Sequence, residues 1–126
     1  MRGAPVLAAA LAACTPAADP EALFAPDYKG VETRLLDDDL VNFRVAMAGA
    51  RDAEDVIDYA TCAAAQYTVI RGFGFARHVR TNTAEEGGIW TADAVYTVSA
   101  ALPRGTRTLD AEVVLADCVA RGIPTV

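Results

Sequence analysis

Residues 53–71 constrain this chain more than any other stretch. Val56, Ala60, Ala63, Tyr67 and Ile70 recur at spacings of three and four, the period of a helix with one buried face. Asp52 is placed to cap the N-terminus, Glu54 and Asp55 lie in the first turn, where negative charge is favoured, and Gly72 suits a left-handed exit. Ala63, Ala64 and Ala65 permit close approach of a packing partner. A helix with one apolar stripe needs a layer to bury it, and the flanking segments read as strands. Residues 40–47 alternate Val41, Phe43, Val45 and Met47 against Asn42 and Arg44, and pair as a hairpin with residues 31–36 across an Asp37-Asp38-Asp39 turn.

After the helix, Phe73-Gly74-Phe75 leads into a strand ending near Thr83, and Glu85-Glu86-Gly87-Gly88 carries hairpin chemistry. Residues 89–99 and 108–116 read as two more strands joined around Pro103-Arg104-Gly105, the last alternating Leu109, Ala111, Val113 and Leu115 with Asp110, Glu112 and Val114. The expected fold is therefore α+β, a mostly antiparallel sheet in the order ββαβββ packed against one long helix, within residues 31–126.

At 126 residues the chain has room for one such domain. Its 17 acidic and 11 basic residues give a formal charge of −6, the wrong sign for nucleic acid or for adhesion to anionic lipid. A phosphate-cradling glycine loop, a Cys/His metal spacing and a Gly-x-Ser-x-Gly elbow are all missing, so no cofactor is expected.

The first 13 residues have the form of a signal peptide: Arg2 followed by an apolar run from Val6 to Ala13, too short to span a bilayer. Leu11-Ala12-Ala13-Cys14 resembles the lipobox of bacterial lipoproteins. The resemblance implies that the Cys14 thiol takes a diacylglyceryl group, that cleavage falls between Ala13 and Cys14, and that two or three acyl chains hold the product to a membrane, one chain alone being reversible. Thr15 stands where some inner-membrane lipoproteins carry Asp, which favours the outer membrane. The alternative is an ordinary leader cut at an Ala-x-Ala site, with Cys14 a plain thiol. Residues 14–30, with Pro16, Pro20 and Pro26, read as a lipidated N-terminus and tether reaching up to about 50 Å at ~3.1 Å per residue.

Asp58-Tyr59-Ala60, Ala63-Ala64 and Gly72-Phe73-Gly74-Phe75 are similar to the body of small alphaproteobacterial envelope lipoproteins, in which a hairpin precedes an Ala-rich helix. That likeness bears on compartment and fold, not on an activity.

Cys62 and Cys118 are the two thiols left once Cys14 is acylated, and outside the cytoplasm such a pair is expected to form a disulfide, worth about 4 kcal/mol for a loop of this length. Two buried free cysteines are the competing reading. His78, the only histidine, lies between Arg77 and Arg80 and could serve Cys62 as a base. Trp90, Tyr96 and Tyr67 could line a ligand groove, although such aromatics more often belong to a core. Asp37-Asp38-Asp39 lacks the spacing that wraps calcium and reads as a solvated turn.

The sequence thus points to a non-catalytic envelope lipoprotein, attached to the membrane through lipid on Cys14, whose domain contacts another envelope protein. A small-ligand or peptide-binding module using Trp90 and Tyr96, and a thiol-dependent enzyme using Cys62 and His78, are the alternatives.

Overall fold

A computed structural model describes residues 24–105 and 107–125. It contains β1 (Asp27–Leu35), β2 (Leu40–Ala48), α1 (Ala53–Ile70), β3 (Phe75–Glu86), β4 (Ile89–Ser99), β5 (Thr108–Asp110) and α2 (Ala111–Ala120). The strands form one antiparallel sheet in the order β1-β2-β4-β3-β5.

The α+β class and the first five elements follow the expected order, and two corrections apply to the rest. The expected strand over residues 108–116 is a three-residue strand, β5, followed by α2, so there are two helices. Asp110 caps α2 by accepting from Val113 N at 3.2 Å. Once the backbone turns helical there, Ala111 and Cys118 are buried while Val113 is 65% exposed, the burial of a one-sided helix and not of a pleat. The second correction is the start of β1, at Asp27 instead of Val31, so part of the expected tether is sheet.

α1 begins where its caps predict, with Asp52 accepting from Glu54 N. At its end Gly72 adopts φ +78° and Phe73 N donates to Thr68 O. α2 closes the same way, with Gly122 at φ +69° and Ile123 N donating to Cys118 O. Both helices therefore satisfy their last carbonyls through a left-handed glycine.

Val41, Phe43, Val45 and Met47 of β2 and Ala92, Ala94, Tyr96 and Val98 of β4 form the sheet side of the core, packed with Val56, Tyr59, Ala60, Ala63 and Ala64 of α1. α1 contacts β2, β3 and β4 on one side and α2 on another. That second neighbour is why Cys62 and Ala65 are buried outside the expected stripe, whereas Ile70, placed in the stripe, is 65% exposed in the last turn.

Candidate functional site

Ala13 and Cys14, the expected cleavage and lipidation residues, lie outside the described residues, as does most of the tether. Cys62 on α1 and Cys118 on α2 are joined, with sulfurs 2.06 Å apart, so the bond ties helix to helix. The Cys62 sulfur is thereby committed. His78 Nε2 pairs with Thr81 Oγ1 at 2.7 Å, and its ring meets the edge of Tyr96 at 5.2 Å. Burial, and then the positive charge of Arg107, hold the imidazole below its ordinary pKa. Asp37, Asp38 and Asp39 form the bend between β1 and β2; Asp37 O accepts from Leu40 N, and Asp39 O from Val98 N. Among the described residues no group of three His, Cys, Asp or Glu side chains could hold a metal ion.

The aromatic groove is a correction. Trp90 and Tyr96 alternate with Thr91 and Val95 and pair with Met47 and Val41, all on the helix-facing side of the sheet. Tyr96 is 3% exposed, and its hydroxyl lies 3.1 Å from Thr61 Oγ1 of α1. Burial raises its phenol pKa. Tyr67 packs edge-on against Phe43. These rings therefore support the core.

The surface left for recognition is the opposite face of the sheet. Both helices cover one side, and the register sets what the other side carries. One cross-strand row runs Arg34, Asn42, Val95, Arg80; the next runs Glu32, Arg44, Asp93, Asn82; the next Gly30, Ala46, Thr91, Ala84. Asp93 is the hub. Asn42 Nδ2 donates to it, Arg80 Nη1 lies 3.5 Å away and Arg44 Nη2 4.0 Å away. Arg34 pairs with Glu32 at 2.7 Å. Val95 is buried here apart from the main core, which shows how closely these polar side chains cover the centre of the face.

Two β-bulges shape this surface. The register shifts between Tyr28 and Gly30 in β1 and between His78 and Arg80 in β3; such extra residues bend a strand and increase its twist. The sheet curls into a trough of about 680 Å³, floored by Ala46 and Thr91 and walled by Lys29 and Glu32 on one side and Asn82 and Ala84 on the other. Its volume suits a ligand site, and its lining sets charged Lys29, Glu32, Arg44 and Asp93 among Gly30, Val31, Ala46 and Ala84.

A smaller cleft of about 290 Å³ lies among Phe24, Tyr28, Arg51, Asp55, Asp58 and Arg121. Its charges satisfy one another. Asp55, 8% exposed, accepts from Arg51 N, Nε and Nη2 at 2.8–3.0 Å, and these bonds hold its carboxyl below the ordinary value. Asp58 pairs with Arg121 at 2.7 Å. The cleft joins the two helices and the start of β1.

This architecture, a curled five-stranded sheet under two disulfide-linked helices, coincides with a known family. Residues 28–122, from β1 to the close of α2, match the family model described as the YNQ4 C-terminal domain, and the chain belongs to that family. A relative in Paracoccus denitrificans, described as an uncharacterized 26.9 kDa protein in the nqo8 5′ region, is 33% identical over 113 residues, covering 85% of this chain and 42% of that protein. The chain thus spans less than half the length of this relative. No solved structure matches it. The relative's description ascribes no activity to it, and the family is an uncharacterised bacterial one.

Proposed function

We propose that the chain is an envelope lipoprotein, held to a membrane through acyl chains on Cys14, whose α+β domain is a non-catalytic interaction module. The open face of the sheet receives a segment of another envelope protein. The observation that carries this reading is the one-sided sheet: helices bury one face, while the other is a concave surface of mixed polar and apolar side chains. Its lining sets Arg44, Asp93, Asn82, Thr91 and Glu32 among Val31, Ala46 and Ala84, the mixture of polar and apolar surface that protein contacts present. The Leu11-Ala12-Ala13-Cys14 motif supports the anchor.

The test uses the full chain expressed in a bacterial host. Thr91 is exposed on the floor of the trough, so Thr91→Trp fills the trough without entering the core. An envelope protein that co-purifies with the wild type from solubilised membranes and is lost with T91W supports the reading. Equal recovery with both overturns the docking face. A mature N-terminus without acyl mass overturns the anchor.

A further inference from the structure

Most of the described cations of this acidic chain are matched. Lys29, Arg34, Arg44, Arg51, Arg80 and Arg121 each pair with a carboxylate, and Arg71 stacks on Tyr67 and Phe73. Arg77, Arg104 and Arg107 have neither an ion pair nor a ring contact among the described residues, and Arg77 and Arg107 line one cleft of about 370 Å³ with His78, Val79 and Thr97. Two like charges lining one cavity of a chain with a surplus of carboxylates are complementary to an anion from outside.

The backbone holds the two arginines there by specific devices. Thr97 is the cross-strand partner of Arg77, and the bulge at Val79 interrupts the ladder beside it. From the other side comes the loop before β5. His78 N donates to Arg107 O at 3.0 Å, and Arg107 adopts φ +66°, a left-handed conformation that side-chain-bearing residues rarely take. Gly105, at φ +104°, gives the same loop a turn that other residues rarely take, and a Cβ there would make ordinary contact with the Arg77 guanidinium, 3.5 Å from Nη2. Strain held at a residue that also presents an unpaired charge is a mark of a binding position.

We propose that Arg77 and Arg107, with the Thr97 hydroxyl, form a site for a phosphate-type oxyanion, taken either free or as the headgroup of an anionic lipid. Guanidinium forks suit the bidentate geometry of such an anion, and a hydroxyl supplies a further donor. The site stands whether or not the trough receives a protein.

His78 provides the readout, because it is the only histidine and burial, then the Arg107 charge, lower its pKa. Facing it are Arg107 from the loop, Thr81 from its own strand and the Tyr96 phenol from β4, while Arg77 and Arg80 of its own strand lie on the other face of the sheet. An anion bound between the arginines offsets the Arg107 charge, so the His78 pKa rises. The experiment titrates inorganic phosphate at constant ionic strength into the full chain carrying Cys14→Ser, following the His78 resonances by NMR. A saturable rise in the His78 pKa is expected, weakened at least tenfold in R77Q/R107Q and unchanged in R71Q. Arg107→Gly relieves the left-handed backbone, so it is expected to fold at least as stably while losing the phosphate response. Vesicles of phosphatidylglycerol, against phosphatidylcholine, separate the sources: binding competed by phosphate assigns a lipid headgroup, and phosphate binding without vesicle binding assigns a soluble anion. A response that chloride reproduces, or one retained in R77Q/R107Q and in R107G, overturns the site.

Discussion

The Tyr96 hydroxyl lies 3.1 Å from Thr61 Oγ1, so the central strand β4 is hydrogen-bonded to the helix that covers it. Thr61 Oγ1 donates to Ile57 O of its own helix, which leaves it to accept from the Tyr96 hydroxyl. Tyr96→Phe keeps the ring packed on Phe43 and removes only the hydroxyl. Loss of about 1 kcal/mol is expected, since one partner is left unsatisfied in a largely buried place. Phe43→Ala, at the same junction, is expected to cost about 3–5 kcal/mol by leaving a cavity. Urea unfolding measures both.

The bond between Cys62 and Cys118 spans 56 positions and joins the two helices. Reduction, or C62A/C118A, is expected to destabilise the domain by about 2–4 kcal/mol. The loss concentrates in α2, which has only ten residues and exposes Val113 and Val119. Hydrogen exchange is expected to quicken across α2 well before α1.

Asp110 caps α2, so Asp110→Ala is expected to cost about 1 kcal/mol. Val113→Glu should be nearly neutral because Val113 points to solvent. In a pleated strand with Val113 inward, the order of the two effects would be reversed. Thermal unfolding of both variants decides it.

Acid weakens the junction of helices and β1 through Asp55. Hydrogen bonds from Arg51 depress its folded pKa below the ordinary 3.8, so the stability it contributes is present above that value and is lost as pH falls through the folded pKa. Asp55→Asn is expected to lower stability at pH 7 and to flatten the decline below about pH 4. Urea midpoints measured from pH 7 to pH 2 test the slope.

What the sequence disclosed depended on how local each signal was. α1 was legible because Asp52, Gly72 and an uninterrupted stripe agree within one segment. α2 was not, because Ala111, Val113 and Leu115 satisfy a period of two while Ala111, Val114 and Cys118 satisfy a helix; Asp110 and Gly122, its two end signals, were there to be weighed. The hydrophobic alternation of β2 was legible, whereas the inward aim of Trp90 and Tyr96 is set by register with β2 and could not be counted from one strand. The anion cleft was hidden for a related reason. Arg77 lies in β3 and Arg107 in the loop before β5, and only the return of that loop to β3, where Arg107 O accepts from His78 N, brings the two to one cleft.

Photocrosslinking in the living cell tests the docking face most directly, with a benzophenone side chain at Thr91 in the trough or at Val113 on α2. The account predicts a crosslink to one envelope protein from position 91 and none from position 113. Crosslinks from position 113 alone, or from neither position, would contradict it.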